Sequence, residues 1–193
     1  MKYIILLILC SLSIFNSCKK SDKPELSPEA KLENEQIRKD QEELRSRIKE
    51  DYKLQNASSS RDEAIKQFLK EFSQKGVQDD YKTLFSLKEF EDIILPNSLG
   101  TNALVAHTTI KKAMDMVSLR RKTGLARLYQ KIGNHSFVIQ SIEWRKDVRK
   151  LNTVNGHIIE SIYLLIDEKQ VKLDELKLVI ENKGKFKLST LGT

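Results

Sequence analysis

The side chains of this 193-residue chain with the reach to act on a substrate or a metal are few and scattered. His107, His135 and His157 stand far apart, and no two have the spacing at which one helix would offer both to a metal ion. On a strand, His157 and Glu160 point to opposite faces, because successive side chains alternate. The paired acids Asp79-Asp80, Glu91-Asp92 and Asp174-Glu175 are of a type suited to proton transfer. Their places at turns and helix starts suit capping and solvation better. Glu143 beside Trp144, and Glu160 within an apolar run, are the acids to inspect for an enclosed carboxyl with a shifted pKa. Otherwise both are outward-facing sheet residues. No GxSxG elbow, Walker loop or dinucleotide fingerprint occurs, so no catalytic, cofactor-binding or metal-ligating residue is assigned and no cofactor is expected.

Cations are more informative. There are 34 Lys and Arg against 27 Asp and Glu, a net charge of +7. Residues 111–150 hold eleven of those cations against three acids, about +8, which leaves the remainder near −1. Arg120, Arg121, Lys122, Arg145, Lys146, Arg149 and Lys150 would form a patch for phosphate or carboxylate groups if the two runs converge in space. Anionic lipid, a glycan or an envelope protein are the partners such a patch would suit. An ordinary solvated face is the alternative. Nucleic acid is not expected, since basic motifs interleaved with aromatics are missing and the leader described next points to export.

Composition sets the frame for these side chains. With 39% hydrophobic and 32% charged residues, the chain is neither a polytopic membrane protein nor wholly disordered. Seven glycines and three prolines are too few for collagen repeats or a many-turned sandwich. Both cysteines, Cys10 and Cys18, precede the expected domain, which excludes disulfides and thiolate sites from it. Residues 1–17 read as an export signal: Lys2, an apolar stretch from Tyr3 to Phe15, then Ser17 before Cys18. Thirteen apolar residues fall short of the roughly 20 that a spanning helix requires.

Phe15-Asn16-Ser17-Cys18 resembles the lipobox of bacterial lipoproteins, in the relaxed form found in spirochaetes, with Phe15 where leucine is usual. The resemblance implies acylation of Cys18 and anchorage to membrane lipid in the cell envelope, expected at the outer membrane. An ordinary cleaved signal peptide with a chance cysteine is the competing reading. Residues 18–30, with Pro24 and Pro28, form a polar leash of at most about 40 Å.

Residues 31–57 are expected to form a charged helix with a narrow stripe of Ile37, Leu44, Ile48 and Tyr52, either a solvated stalk or a helix laid on its own domain. With Leu32 out of phase, two heptads are too few to define a coiled coil. Residues 58–193 are expected to fold as an α+β domain, helices first and then a curved antiparallel meander of about four strands. Ser60 with Glu63 and Ser86 with Glu89 are capping-box pairs opening two helices. A short helix is expected to carry Tyr81, Leu84 and Phe85, and a long one to span 102–132 with a bend near Gly124. Strands are expected around 137–144, 158–166, 171–180 and 186–188, with Asn155-Gly156 and Asn182-Lys183-Gly184 as turns and a bulge at Asp174-Glu175.

The closing LKLVIENKGKFKLSTLG resembles the final hairpin of the nuclear transport factor two-like, or cystatin-like, superfamily, with Phe186 in the usual tryptophan position. That resemblance implies a curved sheet around helices and a cone-shaped pocket. It carries no catalytic residue over. The expected function is a non-enzymatic binding or structural module on a lipid anchor; the alternative is an envelope enzyme with an acid/base residue in the cone.

Overall fold

A computed structural model describes residues 27–101 and 104–192. The leader, Cys18 and the leash up to residue 26 lie outside the described residues. The chain divides into two compact units, residues 1–32 and 33–193. Of the first, the described part opens a helix. Ser27 accepts the Ala30 N–H at 3.2 Å, and Pro28 takes the first helical position, where a missing N–H is harmless. That helix, α1 (Pro28–Ser46), therefore starts inside the expected leash and stops eleven residues before the expected end at residue 57.

The described protein is α+β. Three further helices are α2 (Arg61–Lys75), α3 (residues 87–97) and α4 (Ile110–Ile132). Ser60 caps α2 by accepting the Glu63 N–H. Ser86 and Glu89 close a full capping box on α3, with bonds of 3.0 and 2.8 Å. Midway, α3 widens to a π turn in which Leu95 N–H reaches the Phe90 carbonyl. The widening lies just before Pro96, which has no N–H to continue the regular ladder. The expected helix at 81–85 is instead a turn leading to a bridge with the last strand. The long helix begins at Ile110 rather than 102, after a short 3-10 turn at Leu104–Ala106.

Five antiparallel strands follow: β1 (Phe137–Lys150), β2 (Asn155–Ile166), β3 (Lys169–Leu173), β4 (Leu176–Asn182) and β5 (Lys185–Leu191). The expected third strand is split at Asp174-Glu175. β3 pairs with the second half of β2 (Ile162 with Leu173) and β4 with its first half (Ile158 with Leu178). Asn155-Gly156 is not the turn. Both residues already lie in β2, and the chain reverses at Leu151–Val154, where Leu151 N–H meets the Val154 carbonyl. Gly156 is small because a Cβ there would come within 3.0 Å of the Leu178 side chain. Lys183-Gly184, both at positive φ, make the two-residue turn from β4 to β5.

Two cores result. α2 and the second half of α4 cover one face of the sheet, where Phe68, Phe72, Leu128, Ile132, Ile162 and Leu164 are fully buried. α1, α3 and the first half of α4 form the second, around Leu44, Phe85, Ile93, Leu178 and Ile180. Val179 belongs to the first core and its neighbours Leu178 and Ile180 to the second, so β4 is buried on both faces. The outer edge of β5 is occupied: Ser58 exchanges two hydrogen bonds with Phe186, and Phe85 N–H bonds to the Leu188 carbonyl at 2.8 Å.

Candidate functional site

The main groove is framed by two helix ends that terminate alike. After α1, Tyr52 accepts the Lys49 N–H at 2.9 Å and its hydroxyl donates to the Arg47 carbonyl. After α2, Tyr81 accepts the Gln78 N–H at 3.0 Å and donates to the Gly76 carbonyl. Each tyrosine thus lies six residues beyond its helix and folds the chain back on that helix's end. The segments read RIKEDY and GVQDDY, a local likeness that the periodic apolar pattern hides. This is why α1 stops early: Ile48 and Tyr52 belong to the turn. Burial raises the Tyr81 hydroxyl pKa, and Glu71 nearby adds to the shift while the Gln78 N–H opposes it.

Beneath the groove is a buried ion pair. Lys187 of β5, its side chain 3% exposed, donates to both Glu89 carboxylate oxygens at 3.0 and 2.9 Å and lies 5.7 Å from the centre of the Phe85 ring. Glu89 is held there because it also completes the α3 capping box. Arg121 is buried close by and donates to the Phe85 carbonyl. Burial pulls its guanidinium below the ordinary value, against Asp80 and Glu89. At the junction of α1, α3 and the β1–β2 turn sits Asn97, wholly buried and fully bonded. Its amide donates to Ile93 O and Tyr52 Oη, and its carbonyl accepts from Thr153 N and Oγ1, all at 2.8 to 2.9 Å.

The groove has a volume of about 1190 Å³. Arg47, Lys49, Lys53, Lys75, Lys82 and Lys88 line it along with Lys187, against the acids Asp80, Glu89 and Asp92. Two smaller hollows share lining residues with it. One of about 760 Å³ shares Tyr52, Lys53 and Asn56 and adds Lys183 and Lys185. The other, of about 400 Å³, shares Asn56 and Lys82 and adds Lys70. Most lining acids already hold a cation: Glu89 with Lys187, Asp92 with Lys88, Asp51 with Lys183 and Glu71 with Lys75.

The residues singled out from sequence fall elsewhere. Arg121 is buried and leaves the expected patch, because its guanidinium is spent on the Phe85 carbonyl. Arg120 and Lys122 are exposed on α4, and Arg145, Lys146, Arg149 and Lys150 on β1. No hydrogen bond or ion pair joins the two groups, and α4 packs on β3, β5 and α3. Glu143 and Glu160 are exposed; Glu143 accepts the Ser161 hydroxyl, and neither is an enclosed acid. Glu175, by contrast, is buried and paired with Lys131 at 2.7 Å. Its neighbour Asp174 is held below the usual carboxylate range mainly by a hydrogen bond from the same lysine.

His157 bonds Glu181 at 2.8 Å and lies between Trp144 and Phe186, at 6.5 and 5.7 Å between ring centres. Its Nδ1 is enclosed without a partner. The groove does not reach it. Trp144 donates to Asp62 at 2.8 Å with Arg61 stacked over its ring. Among the described residues, no three His, Cys, Asp or Glu form a metal-ligand set, and no helix is long and apolar enough to cross a membrane. No family model, curated protein or solved structure matches the chain.

Proposed function

We propose that the chain is a cell-envelope lipoprotein, acylated at Cys18, whose folded body is a non-enzymatic binding or structural module. The observation that carries the module reading is the filled space between helices and sheet, where Phe68, Phe72, Leu128 and Ile132 occupy the place of a cone-shaped pocket. An acid/base site in the cone needs a hollow between helices and sheet in which substrate meets a shifted group, and that space is filled. Among the described residues, the buried acids Asp40 and Glu175 are committed to the Ile110 N–H and to Lys131, Glu89 is committed to Lys187, and Glu71 to a loop. What supports the anchor is the spacing of residues 1–18, ending in Ser17-Cys18.

Detergent phase partitioning in cells that lipidate exported proteins tests the anchor. Wild type is expected in the detergent phase and Cys18→Ser in the aqueous phase, because two or three acyl chains at about 0.8 kcal/mol per methylene make release negligible. Equal partitioning of both would reject acylation.

A further inference from the structure

We infer that the groove between the ends of α1 and α2 and the start of α3 is a binding site for an acidic polysaccharide chain. The inference rests on reading the body as a binding module, and it adds the ligand class.

Lys49, Lys53, Lys70, Lys82 and Lys185 line the groove and the two hollows beside it, are exposed, and form no ion pair among the described residues. The lining acids other than Asp80 are neutralised in place, so the surplus positive charge faces the ligand. The floor is prebuilt. Tyr52, Tyr81 and the Lys187–Glu89 pair are fixed by bonds within the fold, so a ligand need not order them.

Shape and chemistry narrow the occupant. The groove, about 1190 Å³, exceeds the 300 to 1,000 Å³ or so of a small-molecule pocket and suits a chain. A bilayer surface is too flat to enter it. A peptide strand finds no free edge, since Ser58 and Phe85 already bond β5. Leu84 and Ile93 lie in the floor and are themselves buried. Nucleic acid would look for exposed rings to stack on, whereas Tyr81 is only 5% exposed and Tyr52 is half-buried with its hydroxyl held by Asn97. What the walls do offer is lysine, a flexible point charge rather than a planar fork, together with the exposed amides of Gln55 and Asn56. Ammonium groups interspersed with amide donors and acceptors match a chain of carboxylates or sulfates interspersed with hydroxyls.

The test uses the full-length lipidated protein in neutral detergent, titrated with polygalacturonate and with dextran sulfate. A variant carrying Lys49→Gln, Lys53→Gln and Lys82→Gln is compared with a control of equal charge change, Arg145→Gln, Lys146→Gln and Lys150→Gln. Binding is expected to at least one glycan, to weaken with salt, to fall at least tenfold in the groove variant, and to stay within twofold in the control. Polyglutamate and phosphatidylglycerol vesicles, at matched charge, are expected to displace the glycan poorly. No binding of either glycan, an equal loss in the control, or equal displacement by polyglutamate or by vesicles would each overturn the assignment. Partitioning of Cys18→Ser reads the anchor and glycan titration of the lysine variant reads the groove, so failure of the anchor and failure of the site are told apart.

Discussion

Glu71 shows how much of this fold depends on single polar side chains that look unremarkable in sequence. Burial alone would raise its pKa. The Lys75 ammonium, the Thr83 hydroxyl and the N–H groups of Lys82 and Thr83 outweigh that and bring it down to about 2. Because the folded pKa lies below the unfolded one near 4.5, the stabilisation is complete above pH 4.5 and disappears as pH falls toward 2. A shift of this size corresponds to about 3 kcal/mol. Urea unfolding of Glu71→Gln, followed by fluorescence of the single tryptophan, Trp144, is expected to show a deficit of that order at pH 7. The deficit should close between pH 4.5 and 2; a deficit unchanged across that window would mean that the charge is not what holds the loop. The (i, i+4) pair with Lys75 is legible in the sequence, but no local pattern announces the hold on the loop, since those partners lie eleven and twelve residues away. Asn97 is similar: three of its four bonds go to Tyr52 and Thr153, which only the folded chain brings near.

Elements were legible where the physics is local and misread where it is not. The two capping pairs at Ser60 and Ser86 opened helices as their spacing required, and alternating apolar residues located the sheet. Periodicity alone puts Tyr52 at the end of a helical stripe, because it cannot register a hydroxyl that turns back to bond the chain. Asn155-Gly156 has turn chemistry, but cross-strand packing on Leu178 explains the glycine better. Gly124, where the sequence allows a bend, is also a contact point. A Cβ there would meet Gly192 N at 3.0 Å and Leu191 Cβ at 3.1 Å, where α4 crosses the end of β5. Gly124→Ala sets a helix-propensity gain of about 1 kcal/mol against an overpacking cost of about 1 to 3 kcal/mol. Backbone cannot swing aside as a side-chain tip can, so a net destabilisation of about 1 kcal/mol is expected from urea midpoints. Lys122→Ala, exposed on the same helix, should stay within about 0.5 kcal/mol. A stabilised Gly124→Ala would show that β5 yields freely. The groove is hidden in the sequence for a related reason: its lysines lie at 49, 53, 70, 82 and 185, outside the densest basic stretch at 111–150.

At the scale of the whole molecule, α4 bridges the two cores, with Ala113 in one and Leu125, Leu128 and Ile132 in the other. Its start depends on α1. Thr109 caps it locally through Lys112 N–H, while the buried Asp40 carboxylate of α1 accepts the Ile110 N–H at 2.7 Å. That places a negative charge at the positive end of the helix dipole. Gln41 reaches the carbonyls of Val105 and Ala106, and Leu44, 1% exposed, completes the second core. From residue 33 onward, α1 is thus part of the folded body and not a solvated stalk. Removing it would uncover a core leucine's place, about 2 to 3 kcal/mol, and a helix cap, about 1 kcal/mol. A chain of residues 33–193 is expected to unfold at the urea concentration of the intact protein, whereas residues 48–193 should lose at least about 3 kcal/mol. A small domain has about 5 to 15 kcal/mol in total, so the shorter chain should also show raised susceptibility to proteolysis at the start of α4. Equal midpoints for the two truncations would return α1 to the role of a spacer and leave the groove bounded by α2 and α3 alone.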